Sequence, residues 1–352
     1  MNKGFALLLI LVLVTSVGIV SAQEEGSTLA MVQERGSVVC GVNQELLGFG
    51  LLDSETGGIV GFDVDFCHAI AAAIFGDASA VELSPHTAST RLSALSAGEI
   101  DVLIRNTTWT LSRDTDAGLD FGPTTYYDGQ SVMVHADSGM EVWEDLDGVT
   151  VCTTQGTTTE LNITAQMESL GLGYELLAFD STADTHAGFV ERRCDIETSD
   201  ASQLLSLQYG SDNPSAYTIW AEPFTKEPLG PVVRHGDNQW GDIVSWTVFG
   251  LFTAEELGID SMNIDSFLRT DGESDEDYSA RVGPTVALFL DAELGMGSKL
   301  GLSNDFMVEV IRQVGNYAEV FDRHLGVDGL GLDRGPNALW TDGGLIYAPA
   351  WR

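Results

Sequence analysis

Basic residues are scarce in this 352-residue sequence. It contains 16 Lys and Arg side chains against 53 Asp and Glu, which gives a formal net charge of −37 at pH 7. Such an excess of negative charge repels the phosphates of nucleic acids and the headgroups of anionic lipids. Nucleic acids and anionic membranes are therefore excluded as partners.

Long hydrophobic runs are confined to the N-terminus. Lys3 precedes an almost unbroken apolar run over residues 4–20, and Val-Ser-Ala at residues 20–22 has small side chains where a signal peptidase reads them. We predict a signal peptide over residues 1–22, cleaved after Ala22; an uncleaved membrane anchor is the alternative. No later run reaches the roughly 18 apolar residues that a membrane-spanning helix needs. Cysteine is absent before residue 40, which excludes a lipid anchor, so we expect a periplasmic protein.

Cysteine is scarce as well. Its four positions form no C-x-x-C pair and have no histidine at metal-ligand spacing, so neither a zinc site nor dithiol redox chemistry is expected. Cys40 falls in a predicted strand, and Cys67 lies on the apolar face of the next helix, so the two can meet. Cys152 and Cys194 lie on strands expected to be neighbours. Export favours disulfides Cys40–Cys67 and Cys152–Cys194; four buried thiols are the alternative.

Strand-like and helix-like segments alternate along the chain, which predicts an α/β fold with two mostly parallel sheets flanked by helices. The second set of segments repeats the order of the first without repeating its residues. In the first set, strands are predicted at 38–42, 81–84 and 101–104, with helices at 65–75 and 90–97. In the second set, strands are predicted at 149–152, 174–179 and 194–199, with helices at 157–170 and 184–191.

Two extended segments, at residues 129–134 and 230–233, flank the second set. We interpret them as strands that cross between two lobes, with lobe 2 inserted into lobe 1. The chain after Gln239 has a helical pattern and is expected to return to lobe 1. The predicted division is 23–133 for the first part of lobe 1, 134–229 for lobe 2, and 230–352 for the second part of lobe 1 with its C-terminal helices.

A polar turn follows the third predicted strand, in the sequence D-V-L-I-R-N-T-T-W-T-L-S-R-D of residues 101–114. Its hydroxyls and turn N–H groups can hold the oxygens of a small acid, and the Arg113 guanidinium supplies a planar pair of donors. Ligands of open α/β lobes bind beyond the carboxyl ends of the strands. There Asp200, in the second lobe, can pair with an ammonium group. A capped, solvated turn and a solvated helix cap are the respective alternatives.

No nucleotide-binding loop accompanies these residues. The matching turn of the second lobe, T-T-Q-G-T-T-T-E at residues 153–160, lacks the Gly-x-x-x-x-Gly-Lys pattern that cradles phosphates. Thr157 and Glu160 have capping-box spacing, and the free N–H groups of the first helical turn favour an anion. No nucleotide, other cofactor or metal ion is predicted.

Several strings together carry a family resemblance that covers about residues 29–352. They are V-C-G-V-N, G-F-D-V-D-F-C, R-N-T-T-W-T-L-S-R-D, Y-Y-D-G-Q, Q-G-T-T-T-E-L-N, K-E-P-L-G-P, Q-V-G-N-Y and N-A-L-W-T-D-G-G-L-I-Y-A-P. The chain resembles the periplasmic solute-binding component of general L-amino-acid ABC transporters. The resemblance implies a two-lobed type II periplasmic binding fold, with lobes joined by two crossing strands. Such a protein closes around one free L-amino acid and presents it to a permease in the inner membrane; a monomer is expected.

The resemblance also implies roles for single residues. Arg113 is similar to the arginine that clamps the α-carboxylate in this family, Thr108 to a threonine that donates to the same group, and Thr158 to a helix-start amide that reaches it. Asn106 matches the turn whose carbonyl meets the α-ammonium. Asp200 matches the acid that pairs with this ammonium from lobe 2.

Other positions concern the ligand's side chain. Asn43 and Leu46 fall where related binding proteins line the side-chain pocket. Ala88 stands where narrower relatives carry an aromatic lid, and Thr154 where some carry a lysine, so the resemblance implies a roomy pocket with broad specificity. Trp109 is expected to be a packed core residue, with ligand contact as the alternative.

Two other classes of function use similar lobes. A periplasmic arogenate or prephenate dehydratase needs a general acid over the substrate ring, and the six histidines are scattered without a partner pattern. No catalytic residue is therefore nominated, and we predict a binding protein, not an enzyme. A sensory domain needs a membrane span and a signalling module, for which the sequence offers no segment.

The acidic composition predicts a response to salt. Self-repulsion at a net charge near −37 opposes the compact state, and the Debye length falls from about 10 Å at 0.1 M to about 3 Å at 1 M salt. Because salt screens this repulsion, the midpoint temperature of thermal unfolding should rise as the sodium chloride concentration is increased from about 0.05 to 2 M. A flat or falling midpoint would show that the acidic charges are already compensated.

Overall fold

The computed structural model describes residues 27–115 and 117–352, so the predicted signal peptide lies outside the described residues. Within these ranges no helix has the length and apolar character needed to cross a membrane. The chain begins in lobe 1. Its elements there are α1 (Thr28–Arg35), β1 (Val38–Val42), β2 (Glu45–Leu46), β3 (Gly50–Leu52), β4 (Ile59–Val60), α2 (Phe62–Phe75), β5 (Val81–Pro85), α3 (Arg91–Ala97), β6 (Val102–Leu103), α4 (Leu111–Thr115) and β7 (Leu119–Phe121).

The chain then crosses to lobe 2 and returns. The crossing and lobe 2 contain β8 (Tyr126–Asp128), β9 (Gln130–His135), β10 (Val149–Thr154), α5 (Thr158–Leu170), β11 (Tyr174–Phe179), α6 (Thr182–Val190), β12 (Ile196–Asp200), α7 (Ala201–Gly210) and β13 (Tyr217–Ile219). The return comprises β14 (Glu227–Leu229), β15 (Val232–Arg234), α8 (Asn238–Glu256), α9 (Asp275–Val282), α10 (Pro284–Leu290), α11 (Phe306–Val314) and α12 (Tyr317–His324). Short 3-10 helices lie at Trp143–Leu146, Pro214–Ala216, Ile264–Phe267, Gly297–Lys299, Gly335–Asn337 and Trp340–Asp342.

The sheet of lobe 1 has the strand order β5-β1-β6-β15-β7, with β1 parallel to β5 and β6. Helix α2 buries ten of its fourteen residues against this sheet and the C-terminal helices. It begins three residues earlier than predicted, directly after Gly61. Gly61 has φ +152°, and a Cβ there would lie 2.3 Å from the carbonyl of Phe49, so only glycine permits this start.

The sheet of lobe 2 has the order β11-β10-β12-β9-β13, with β10 parallel to β11 and β12. Thr157 caps α5 by accepting from the N–H of Glu160 at 3.1 Å. The Glu160 carboxylate accepts from the N–H of Gly156 at 2.8 Å. The predicted capping box is therefore formed on one side only, because the glutamate reaches one residue further back than the motif requires.

The two lobes are joined by a two-stranded antiparallel sheet, β8 with β14. The predicted crossing segments 129–134 and 230–233 lie just after these strands. Most of each segment belongs to a lobe: β9 pairs with β12 in lobe 2, and β15 pairs with β6 and β7 in lobe 1. The structure thus places the first crossing at Asp128, earlier than the predicted boundary after residue 133.

The last part of the chain, residues 259–352, is here called the C-terminal extension. It contributes α9 to α12 to the core of lobe 1, where α11 packs on α2. Phe62 of α2 forms edge-to-face contacts with Tyr317 and Phe321 of α12, at centroid distances of 5.9 and 6.2 Å. The expected helical return to lobe 1 is present, and it shares one apolar core with the first part of the lobe.

Both predicted disulfides are formed. Cys40 of β1 is bonded to Cys67 of α2, with Cα atoms 6.0 Å apart. Cys152 of β10 is bonded to Cys194, just before β12, with Cα atoms 5.6 Å apart. No cysteine in the described ranges is free. Each lobe therefore contains one internal disulfide, and neither disulfide links lobe 1 to lobe 2 across the β8–β14 sheet, which is here called the hinge.

The disulfides predict a specific thiol chemistry. Denatured, unreduced protein should not react with Ellman's reagent, and peptide mapping should link Cys40 to Cys67 and Cys152 to Cys194. Replacing Cys152 and Cys194 together by serine should lower the free energy of unfolding by about 3 to 4 kcal/mol, because the crosslink limits the unfolded chain. Free thiols in the denatured protein would contradict the pairing.

Candidate functional site

Both lobes present a helix start or turn to the cleft between them. In lobe 1, the chain turns sharply at Asn106, which has φ +31°, and its N–H donates to the buried Asp63 carboxylate at 2.6 Å. This bond holds the turn beyond β6. Two residues later, the hydroxyl of Thr108 lies 3.3 Å from the hydroxyl of Thr158 in the first turn of α5. The lobes are therefore in contact across the predicted binding turns.

A cavity of about 20 Å³ lies between these turns. A space of this size holds about one water molecule. The lobes must therefore part, or side chains move, before the cavity can accommodate an amino acid. The lining residues are Ala88, Arg91, Arg105, Asn106, Thr108, Thr154, Thr157, Thr158, Thr159, Thr182, Ser199, Asp200 and Gln203.

Four of the seven predicted ligand-binding residues line this cavity: Asn106, Thr108, Thr158 and Asp200. Arg113 lies directly behind it, 9% exposed, and donates from a terminal nitrogen to the Thr108 carbonyl at 2.9 Å. Burial lowers the pKa of the Arg113 guanidinium, while the charges of Asp200 and Glu227 raise it. Arg113 therefore belongs to the same electrostatic unit as the cavity.

Asn43 and Leu46 are placed differently. Asn43 lines a neighbouring chamber of about 60 Å³, which Arg105 also lines. Leu46 is 1% exposed and lies in the apolar core of lobe 1, so it does not line the cavity. The β2–β3 turn directs this side chain inward, which the sequence alone did not indicate.

Trp109 is neither a core residue nor part of the cavity lining, so the packed-core expectation is wrong. It is 43% exposed and stacks on Phe121 with ring centroids 5.7 Å apart. Its N–H donates to the Pro228 carbonyl at 2.8 Å. The strand pairing of the neighbouring backbone turns the ring outward. Ala88 and Thr154, the two small positions singled out in the sequence, do line the cavity.

Two further buried arginines, Arg91 and Arg105, line the cavity, although no role was predicted for them from the sequence. Arg91, at the start of α3, donates to the carbonyls of Arg105 and Asn106 at 3.0 and 3.3 Å, and its Nε has no hydrogen-bond partner. Arg105 donates from Nε to the His86 carbonyl at 2.7 Å. Burial lowers the pKa of Arg105 to about 10, so it stays charged at neutral pH. Arg91 lies 14 residues before Arg105, outside the motif, and only folding brings it to the site.

Buried carboxylates offset these cations: Asp63 and Asp200 act on Arg91 and Arg105, and Asp200 and Glu227 act on Arg113. Asp200 lines the cavity, and its Oδ1 has no hydrogen-bond partner. Asp128 ends β8 and accepts from the Ser202 hydroxyl and the Gly129 N–H. Glu227, directly opposite Asp128 on β14, accepts from Thr158 at 2.8 Å. Asp128 and Glu227 lie in two of the strings that carry the family resemblance, Y-Y-D-G-Q and K-E-P-L-G-P, but no role was predicted for them, because each acid acts through the pairing of the crossing strands.

The model of the family "Bacterial extracellular solute-binding proteins, family 3" matches residues 38–258. The chain belongs to this family. A general L-amino acid-binding periplasmic protein of Rhizobium johnstonii is 44% identical to this solute-binding protein, covering 93% of each chain. A glutamate/glutamine/aspartate/asparagine-binding protein of Rhodobacter capsulatus is 43% identical, covering 95% of this chain and 96% of that protein.

Solved structures agree with this assignment. A periplasmic binding protein from Brucella ovis with glutathione bound is 39% identical, has a TM-score of 0.84, and is matched over 93% of this chain and 99% of that chain. A cysteine-binding protein from Campylobacter jejuni shows the same fold at 24% identity, with a TM-score of 0.60 over 71% of this chain and 98% of that chain. The predicted type II periplasmic binding fold is confirmed.

The carboxylates of this solute-binding protein predict a pH dependence. Burial raises the pKa of Asp128 to about 6, and burial together with the charges of Asp128 and Glu227 raises the pKa of Asp200. An ammonium ligand requires an ionised carboxylate at Asp200, whose pKa is raised, so affinity should fall as the pH decreases and the site takes up protons. Titration calorimetry between pH 5 and 8, with L-glutamate as the probe, measures this.

The proton count provides a second measurement. If the site holds a proton at neutral pH, ligand binding releases it, and the apparent enthalpy differs between phosphate and Tris buffers. Asp128→Asn removes one neighbouring negative charge, lowers the pKa of Asp200, and should move the loss of affinity to lower pH. A pH-independent affinity in the unaltered protein would contradict the assignment of Asp200 to the ammonium.

Proposed function

We propose that this solute-binding protein captures free L-amino acids and delivers them to the permease of an ABC importer in the inner membrane. The proposal rests above all on the unpartnered carboxylate oxygen of Asp200 in a buried cavity. A buried carboxylate without a partner is costly, and an α-ammonium group would supply the missing hydrogen bond.

Three linked donors would suit the ligand's carboxylate. They are the hydroxyl of Thr108, the first-turn amide of Thr158, whose hydroxyl lies 3.3 Å from that of Thr108, and the guanidinium of Arg113, which donates to the Thr108 carbonyl. The carbonyl of Asn106 would accept from the ammonium alongside Asp200. These donors and acceptors read the two groups that all amino acids share, which agrees with the broad specificity expected from the sequence.

The two additional arginines favour ligands with acidic or amide side chains. Arg91 and Arg105 line the cavity, and the unpartnered Nε of Arg91 remains available as a donor. One relative is named for binding glutamate, glutamine, aspartate and asparagine, and another for general L-amino acids. We propose a general amino-acid site with a preference for these polar side chains.

A second candidate ligand is a γ-glutamyl peptide. The chamber lined by Asn43, Glu45 and His86 adjoins the cavity at Arg105, which offers charged and polar groups to the far end of a longer ligand. Glutathione, bound in the Brucella ovis structure, carries a free α-amino acid head on its γ-glutamyl residue. The amino-acid head would bind as described, and the remainder would enter this chamber.

Export and oligomeric state complete the proposal. The predicted leader over residues 1–22 and a relative named as periplasmic support a periplasmic location. The net charge of −37 opposes self-association, which supports a monomer. Catalysis is not proposed, because the relatives that this chain resembles over most of its length are named as binding proteins.

Binding-site variants test the proposal. Arg113→Ala and Asp200→Asn should each weaken binding of all accepted L-amino acids by about 2 to 5 kcal/mol, because each leaves a buried charge unpaired. This corresponds to a dissociation constant about 30-fold or more higher. Calorimetry against the twenty L-amino acids and glutathione measures it.

Arg91→Leu is the matched comparison, since it also removes a buried guanidinium. It should weaken L-glutamate and L-aspartate more than L-alanine. If Arg113→Ala instead affected only one ligand, Arg113 would belong to the side-chain pocket. If none of the twenty amino acids and no glutathione bound, the proposed function would be wrong.

A further inference from the structure

The C-terminal extension lies beyond the segment that the family model matches, which ends at residue 258, and it contacts the hinge between the lobes. We propose that Asn337 and Tyr317 of this extension are positioning residues that hold β8 on lobe 1 and so place the pivot of lobe closure between Tyr127 and Asp128. The proposal goes beyond ligand identity; it rests only on the lobe closure that the proposed function requires.

Asn337 occupies the free edge of β8. Its side-chain oxygen accepts from the N–H of Tyr127 at 2.6 Å, and its amide nitrogen donates to the Tyr127 carbonyl at 3.3 Å. These are the two backbone groups that a neighbouring strand would pair. Asn337 is 2% exposed, so the two bonds are shielded from water. A single side chain thus replaces the next strand of the sheet and ties it to lobe 1.

The other strand of the hinge sheet, β14, is also bonded to lobe 1, at the residue opposite Tyr127. Pro228 lies opposite Tyr127 in the register of β8 with β14, and its carbonyl accepts from the N–H of Trp109 at 2.8 Å. Trp109 belongs to lobe 1. Both crossing strands are therefore bonded to lobe 1 at the Tyr127–Pro228 pair, one by the extension and one by the binding turn.

Tyr317 bonds to Thr125, the residue directly before β8. Its hydroxyl donates to the Thr125 carbonyl at 2.8 Å, and burial raises the pKa of Tyr317 above its usual range, so the hydroxyl remains a donor. Phe321, one turn along α12, stacks on Tyr126. Arg334 lies over the rings of Tyr317 and Phe321, at 4.9 Å from each centroid, and donates to the Asn337 carbonyl at 2.9 Å. The anchoring side chains therefore form one packed unit.

Beyond Tyr127 the partners change lobe. The Asp128 carboxylate accepts from Ser202, at the start of α7 in lobe 2. On the other strand, Glu227 accepts from Thr158 and Asn162 of α5. On β8, Tyr127 is bonded to lobe 1 and the next residue, Asp128, to lobe 2. On β14, Pro228 is bonded to lobe 1 and the preceding residue, Glu227, to lobe 2. Rotation of the lobes must be absorbed between these partners, which puts the pivot next to Asp128.

The pivot lies beside the ligand site, because Gln130, two residues after Asp128, is paired with Asp200 in the sheet of lobe 2, and the Ala201 N–H donates to the Gly129 carbonyl at 2.8 Å. If β8 were not held through Tyr127, rotation would spread over residues 125–127, and Asp128, together with the lobe 2 residues Ser202 and Asp200 to which it is linked, would be displaced relative to the binding turn of lobe 1. Holding the strand therefore keeps this carboxylate in place when the lobes close. The extension thus acts on binding through the hinge without touching the cavity.

The test uses the full mature chain with Asn337→Leu, which keeps the size of the side chain and removes both bonds, and Tyr317→Phe, which removes one hydroxyl. Asn304→Leu is the matched control. Asn304 also lies in the extension and also bonds two backbone groups, the Ser298 N–H and the Ala292 carbonyl, each at 3.0 Å, with no contact to the hinge.

Hydrogen exchange should accelerate at least tenfold at the Tyr127 amide in Asn337→Leu and not in Asn304→Leu. Small-angle scattering of protein without added ligand should show a broader range of lobe separations in both hinge variants. Stopped-flow release of L-glutamate should be at least fivefold faster in both. Unchanged scattering and release, or changes equal to those in Asn304→Leu, would reduce Asn337 to a structural residue and overturn the proposal. The exchange and scattering results decide it even if L-glutamate proves not to bind.

Discussion

Buried charge between the lobes is the constraint on which the site depends. Arg91, Arg105 and Arg113 are brought together with Asp200 and the hinge carboxylates in a region largely shielded from water. Such charges persist only when they are paired or hydrogen-bonded. Backbone carbonyls satisfy parts of the arginines, and threonine hydroxyls satisfy Glu227. Asp200 Oδ1 and Arg91 Nε remain without hydrogen-bond partners. A ligand that carries both a positive and a negative group would stabilise the site most at these two atoms.

The hinge places these charges in two groups. Asp128 and Glu227 face each other across β8 and β14 and bond to lobe 2, whereas Arg113 and Asn106 belong to lobe 1. Opening the lobes therefore separates the acidic groups from most of the basic ones. On the proposed assignment, a zwitterionic ligand would hold them together, with its positive end at Asp200 and its negative end at Arg113. Charge pairing across the cleft and lobe closure would then be one process.

Much of the fold can be predicted from the sequence, because local patterns mark it strongly. The strands at Val38–Val42 and Tyr174–Phe179 have the predicted bounds, and both disulfides join the predicted pairs. The crossing strands were placed a few residues late. Pairing of β8 with β14 depends on partners about a hundred residues apart, which local apolar patterns do not encode. Trp109 was misplaced for the same reason, since strand pairing turns its ring outward.

The sequence by itself determined the family, the two-lobed architecture and the residues of the contiguous motif, because turns, caps and strands are specified by neighbouring residues. Asn106, Thr108 and Arg113 all lie within one such segment. Only the tertiary structure decided that Arg91, Asp128 and Glu227 join them, that Leu46 is a core residue, and that Asn337 pairs with the hinge strand. These contacts join positions far apart in the chain, and their chemistry arises from burial and proximity, which exist only once the chain has folded.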